Sequence, residues 1–329
     1  MKERIYWIDN VKGIGMLMVI VVHTCLWTTD TEVASLWART FCMPLFFILS
    51  GITKGLFPKD INLKQTIKSR FALLMIPFVI FSIFNSVQKF AGMIVMRTMT
   101  MEVLWDEMIQ IPLLGNGVVW FLQALFISET LFYVIFTTKK RKYKLVLTAL
   151  LAFIIPFLIA TNNNHILIVL NRTLEAYALI VLGYLMVGLL RIGIHKKIVM
   201  GVVLLAIEII TVAKFGYSHQ FMYGTFENIW NFIAVGICGS IGTIMLVLSL
   251  NVNIPVLTYI GKNSMSYMLV HSTFILMFPY IVLKYVSGMP SYIIQFSAFL
   301  VIIFTVVASA VTTELIRKYI PFVLGVRCK

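Results

Sequence analysis

Charged side chains are scarce: they make up 12% of the 329 residues, with only 13 Asp and Glu against 27 Lys and Arg. That is too little charge to clothe a folded chain of this length in water, and 60% of it is hydrophobic, so a polytopic membrane protein is indicated. Cysteine is rare as well. Cys25, Cys42, Cys238 and Cys328 lack the spacing of a ligand set, so no metal is expected. There is no internal repeat, low-complexity tract or long linker, and no loop long enough to fold by itself. The whole chain, 1–329, is therefore expected to form one transmembrane domain. No small-residue cleavage site follows the first apolar run, which is expected to stay as a span.

What the chain has in abundance is apolar stretches of membrane-crossing length. They predict an all-α fold with spans at 8–28, 41–57, 71–90, 118–136, 145–160, 174–190, 198–213, 229–249, 264–283 and 292–316, about ten helices. A net charge of +14 suggests nucleic acid in a soluble protein, but here the basic residues sit in every second loop. Lys2 and Arg4 precede the first span, and Lys54, Lys59, Lys64, Lys68 and Arg70 follow the second. Lys139, Lys140, Arg141, Lys142 and Lys144 follow the fourth, and Arg191, Lys196 and Lys197 the sixth. Lys262 follows the eighth, and Arg317, Lys318, Arg327 and Lys329 close the chain. The alternate loops are poor in Lys and Arg, and the one at 97–117 is acidic through Glu102, Asp106 and Glu107. The positive-inside rule then puts both termini in the cytoplasm, as an even helix count requires, and makes the lipid bilayer, not nucleic acid, the expected partner.

The first span, "WIDNVKGIGMLMVIVVHT", carries Asp9, Lys12 and His23 into lipid. At about 100° per residue, the eleven steps from Lys12 to His23 return to within about 20° of one face. Asp9 stands three residues before Lys12, within reach of its ammonium. A stripe of ionisable groups on an apolar helix marks a protein interior or wet cavity on that edge. Taken singly, each has a plainer use: His23 as a hydrogen-bonding residue between helices, Lys12 as a snorkelling cation, Asp9 as a carboxylate at a helix start.

Other polar residues fall inside the expected spans. Ser264, Tyr267 and His271 share one face of the ninth by their three- and four-residue spacing, as a polar seam or as packing. Glu129 and Glu208 would be costly facing lipid and should face protein. Trp120 can stack on a sugar or acyl group, or anchor at the interface. The basic run at 139–144 needs no ligand beyond the positive-inside rule.

Several stretches together resemble the membrane-bound acyltransferase-3 family. The opening D-x-x-K-G-I, with a histidine eleven residues after the lysine, is similar to that family's signature of Arg or Lys, ten residues, then His. "FFILSG" (46–51), "WFLQALF" (120–126) and "GKNSMSYMLVH" (261–271) resemble its later motifs, in the family's order. The opening is most similar to the branch of fucose 4-O-acetylases and other surface-glycan O-acetyltransferases. One element departs: members often carry Arg-x-x-Arg before a Pro at the third helix, implicated in acyl-CoA binding. Here Arg70 is followed by Leu73 and then Pro77, and Lys68, a point charge and not a planar fork, would be the substitute.

The resemblance implies a ten-helix enzyme of a bacterial cytoplasmic membrane that moves an acetyl group from cytoplasmic acetyl-CoA to a hydroxyl of a cell-surface polysaccharide or lipid-linked glycan precursor. Acetyl-CoA would be a substrate, with no permanently bound cofactor. His23 would be the general base, with Lys12 and Asp9 as its catalytic companions. Arg70 and Lys68 would meet the CoA phosphates, and Trp120, Glu129, Tyr267 and His271 the acceptor. The rival reading is a transporter of an acylated metabolite or glycan unit, because buried charge along a helix also marks conduction paths. Against it, no two-fold symmetry of interrupted helices is visible in the sequence.

Overall fold

The computed structural model describes residues 5–325 apart from 26–31, 59, 97–99, 102–104, 106, 107, 110, 112, 113, 116, 218, 287 and 288. The expected acidic loop residues Glu102, Asp106 and Glu107, the basic terminal residues Lys2, Arg4, Arg327 and Lys329, and Lys59 and Cys328 lie outside the described residues. The described chain is helical, and among those residues the β structure is limited to an isolated bridge between Gln220 and Thr225.

The helices are α1 (Tyr6–Cys25), α2 (Glu32–Leu56), α3 (Leu63–Met96), α4 (Trp120–Phe136), α5 (Arg141–Leu158), α6 (His165–Leu185) and α7 (Ile194–Phe215). They continue as α8 (Ile229–Phe232), joined through a π-helical stretch, Ile233–Ile237, to α9 (Cys238–Leu250), then α10 (Pro255–Lys262), α11 (Ser264–Val286) and α12 (Ser291–Tyr319). Local chemistry sets their ends. The Asn164 side chain accepts the N–H groups of Ile166 and Leu167 at the start of α6. Asn251 ends α9 at φ 44°, and Pro255 opens α10 where its missing N–H costs nothing.

Six helical segments among the described residues are long and apolar enough to cross a membrane: Leu63–Ile94, Gly117–Phe136, His165–Arg191, Ile194–Phe215, Ile229–Leu250 and Ser291–Tyr319. The other expected spans, 8–28, 41–57, 145–160 and 264–283, fall on α1, α2, α5 and α11. Three details differ from the sequence reading. α3 starts eight residues before the expected position 71, so Lys64, Lys68 and Arg70 lie in its first turns and not in a loop. α6 starts nine residues before position 174 and takes in Asn171, Arg172 and Thr173. The short helix α10 has no counterpart among the expected spans.

Two compact units divide the chain. The first comprises Met1–Leu56, Gly183–His219 and Glu227–Glu314. In it α1 packs on α10, α2, α11 and α9, while α7 packs on α9. Gly13 and Gly261 let α1 and α10 meet backbone to backbone: a Cβ on Gly261 would run into the carbonyl oxygen of Asp9, and one on Gly13 into that of Leu257. Polar atoms lock this contact. The Asn10 amide donates to the Val252 carbonyl at 2.6 Å, and the Thr258 hydroxyl lies 2.9 Å from Asn10 Oδ1. On α7, Ile207, Ile209 and Ile210 are exposed as a lipid-facing surface requires, while Glu208 between them is fully buried. Its carboxyl meets the Thr40 hydroxyl of α2 at 2.6 Å and abuts Gly239 of α9, where a Cβ would lie 2.6 Å from its carboxyl carbon.

Between α7 and α8, the His219 ring is buried against Phe232 and Tyr217, and its Nδ1 accepts the Glu227 N–H at 3.3 Å. Burial pushes this imidazole down to about 4, and the nearby Glu227 opposes that only in part. The unfolded chain, titrating near the ordinary 6.5, takes up the proton first as pH falls. Stability is therefore expected to drain away as pH falls from about 6.5 towards 4, by at most about 2 kcal/mol at pH 5. Thermal midpoints of wild type and His219→Gln in detergent at pH 7.5 and 5 check this: the variant should decline less, and equal declines would remove His219 from the account.

The second unit comprises Phe57–Leu182, Gln220–Phe226 and Leu315–Lys329. In it α3 packs on α4 and α4 on α5. Polar contacts replace lipid-incompatible loose ends: Ser128 of α4 meets the Thr173 carbonyl of α6 at 3.0 Å, and Thr148 of α5 meets the Tyr177 hydroxyl at 2.7 Å. The Asn171 amide donates to the carbonyls of Ile159 and Gly224.

Candidate active site

In the first unit the ionisable stripe of α1 runs beside α10 at one end and α11 at the other. His23 is partly exposed, Lys12 is partly exposed and Asp9 is buried. Eleven residues of helix hold Lys12 about 17 Å from His23 along the axis, so the two do not form one catalytic contact. The residue brought to His23 is His271 of α11, with ring centroids 5.3 Å apart and planes at 49°.

The protonation pattern of His271 follows from its neighbours. Its Nδ1 sits 3.0 Å from the Tyr267 carbonyl and 2.9 Å from the Met268 carbonyl, one turn back on the same helix. Carbonyl oxygens only accept, so Nδ1 carries the hydrogen, and in a neutral ring Nε2 is then a bare lone pair. That Nε2 is buried and has no hydrogen-bond partner among the described residues. Tyr267 is buried too, its ring edge-on to Tyr259 at 6.5 Å, so what it supplies to this site is its carbonyl. On α2, Arg39 is partly exposed, and its carbonyl lies 3.9 Å from the Cys42 thiol.

The remaining expected site residues belong to the second unit. Arg70 Nε lies 3.3 Å from a carboxylate oxygen of Glu129, and Tyr133 hydrogen-bonds the same guanidinium. Lys68, two residues earlier, is exposed. The side chain of Arg70 is 35% exposed and that of Glu129 only 3%, so the pair is lopsided. Arg70→Ala strands the deeper partner and is expected to destabilise by about 3 kcal/mol; Glu129→Ala leaves a half-wet guanidinium and is expected to lose about 1 kcal/mol. Thermal midpoints of the two purified variants check the order, and equal losses would show that burial does not govern this pair.

Trp120 is buried, stacked on Phe221 with planes at 18° and capped by Arg172, whose guanidinium carbon lies 5.7 Å from a Trp120 ring centroid. Arg172 itself is almost completely buried. It donates to the Leu114 carbonyl at 3.0 Å, to the Met222 carbonyl at 3.4 Å and to the Gln123 side-chain oxygen. One turn on, Glu175 is also fully buried, and among the described residues neither of its oxygens has a hydrogen-bond partner. The sequence reading passed over Arg172, Gln123, Glu175 and Arg39. The signal for two of them was present in "LNRTLEAY", where an arginine and a glutamate one turn apart interrupt an apolar stretch.

Among the described residues no cluster of His, Cys, Asp and Glu is arranged to hold a metal ion. Against known families, a model described as an acyltransferase domain (Acyl_transf_3) matches residues 5–314. No curated protein and no solved structure matches the chain.

Proposed function

This chain belongs to the acyltransferase-3 family and is a membrane acyl-transferring enzyme, and from that premise we propose that it acetylates a hydroxyl of a cell-surface polysaccharide or its lipid-linked precursor, with cytoplasmic acetyl-CoA as donor. The proposal includes ten crossings of a bacterial cytoplasmic membrane, both termini in the cytoplasm, and a place in the fucose 4-O-acetylase-like branch. The observation that carries it is the pairing of His23 with His271 in a chain matched to the family over almost its whole length.

A sugar hydroxyl is a poor nucleophile at neutral pH. As its oxygen attacks the thioester carbonyl, its proton passes to a ring nitrogen of His23. The new C–O bond forms, the C–S bond breaks, and the proton leaves His23 for the departing thiolate, so that ester and free thiol result. Lys12 and Asp9, about three and four turns nearer the expected cytoplasmic end, act on the donor or on each other and not on the reacting hydroxyl. Arg70 is the better placed of the two CoA candidates to act with direction, since Glu129 and Tyr133 hold its guanidinium, while Lys68 offers an exposed charge. Trp120, the expected acceptor-stacking residue, already stacks on Phe221 and has the Arg172 guanidinium near its ring.

The test is a comparison of membranes with and without the gene, supplied with acetyl-labelled acetyl-CoA, with label counted in the purified surface glycan. Label that appears only with the gene is expected. Equal label in both, with the protein shown to be inserted and folded, would reject the acetylation reading.

A further inference from the structure

We infer that His271 is a positioning residue for His23: its bare Nε2 accepts the ring N–H of His23 and so fixes which nitrogen of His23 keeps the lone pair. The inference rests on the reading of His23 as the base, and concerns what makes that base competent. His271 is completely buried, whereas His23 is partly exposed, so of the two rings His23 is the one open to an acceptor. Its Nδ1 is already committed to the carbonyls of Tyr267 and Met268. One lone pair is left, that of Nε2, buried and without a hydrogen-bond partner among the described residues.

The ring packed against His271 is that of His23, with centroids 5.3 Å apart. The planes are tilted by 49°, so the rings are not stacked face to face. The inference requires His23 to turn about its outer torsion until an N–H comes within hydrogen-bond range of Nε2. Once that bond forms, the tautomer of His23 is set and its other nitrogen is held as the proton acceptor. When His23 takes the hydroxyl proton, the resulting imidazolium keeps the bond to Nε2 and is stabilised by it. The two-carbonyl anchor on Nδ1 is what holds His271 in the accepting tautomer throughout.

The side chains that mimic parts of histidine separate this role from its rivals. In His271→Asn the amide N–H can still meet the backbone carbonyls where Nδ1 did, but nothing reaches the Nε2 position. In His271→Gln the side-chain oxygen reaches the Nε2 position and can accept the His23 N–H, but it cannot take up a proton at neutral pH. With insertion and thermal midpoint matched to wild type, His271→Gln is expected to keep acyl transfer within about tenfold, and His271→Asn to lose about 100-fold, with the apparent affinity for acetyl-CoA unchanged in both. Transfer by His271→Asn equal to wild type would overturn the inference, as would loss in His271→Gln as deep as in His271→Asn.

A direct readout covers the case in which neither variant folds. In protein carrying 15N-labelled histidine, one ring should show a protonated Nδ1 and a bare Nε2, and the Nε2 resonance should move in His23→Asn. A protonated Nε2 on His271, or a resonance unmoved by the change at His23, would overturn the contact. If wild type transfers no acetyl group, the proposed function fails, and the resonances still decide the His23–His271 contact. If wild type is active and the contact is missing, only the positioning role fails.

Discussion

His23→Ala is expected to give a protein that inserts and folds as wild type does but transfers acetyl groups about 10² to 10⁴ times more slowly, with acetyl-CoA binding retained. The size follows from what a positioned base contributes when it removes a proton in the transition state, and binding survives because His23 lies in the half of α1 away from Lys12. Alanine alone would not separate chemistry from packing, since His23 also fills space beside His271. His23→Gln does separate them. The amide preserves volume and a hydrogen bond to a neighbouring helix, but cannot accept the proton. With expression matched and acetyl groups counted on the product glycan, His23→Gln should be nearly as inactive as His23→Ala. Near-normal acetylation by His23→Gln would end the base assignment.

Gly261→Ala is expected to be among the most damaging single-methyl changes in the chain. The added Cβ would meet a backbone oxygen, that of Asp9, and backbone cannot swing aside as a flexible side chain can. α10 would have to move off α1, breaking the contact of Thr258 with Asn10, and overpacking of this kind costs about 1–3 kcal/mol before such losses. Because α10 runs within one residue into α11, the displacement is passed to His271. Activity should fall together with the thermal midpoint. Gly92→Ala is the control: among the described residues no atom outside its own helix comes within 4 Å of a Cβ there, and alanine favours the helix, so its midpoint should be unchanged or higher. If both variants melt at the same temperature, the α1–α10 approach is not what the glycine serves.

The stripe of Asp9, Lys12 and His23 was legible because helical periodicity is local: eleven residues of one helix decide which side chains align. The burial of Glu129 and Glu208 was legible for a similar reason, since a carboxylate in a span has few tolerable surroundings. The meeting of His23 with His271 was not, because periodicity within each helix says nothing about which face of α11 turns towards α1. Arg172 escaped for a different reason. Asn171, Arg172 and Thr173 lower the local hydropathy, so the sixth span starts after them in the sequence reading, although carbonyls, Gln123 and the Trp120 face meet the terminal nitrogens of the guanidinium within the structure. α10 was invisible to a search for spans because its eight residues are too few to cross a bilayer. The early start of α3 was hidden by its lysines, which read as loop charge but sit on a helix end exposed to water.

The hydrogen bonds of Asn10 have a consequence for how the chain is made. Its partners, the Val252 carbonyl and the Thr258 hydroxyl, lie 242 and 248 residues further on. At a synthesis rate of about 5–20 residues per second, α1 leaves the ribosome on the order of 10 to 50 seconds before the segment that satisfies it. Through that interval the newborn helix lacks the partners that fix Asn10, with Asp9 and Lys12 beside it near the expected cytoplasmic end of the span. Until α10 arrives, this end of α1 is not tied to the segment it packs on in the finished chain. A ribosome that stalls before codon 252 therefore leaves in the membrane a nascent chain whose first helix has no settled place, and such a chain is a natural substrate for membrane quality-control proteases.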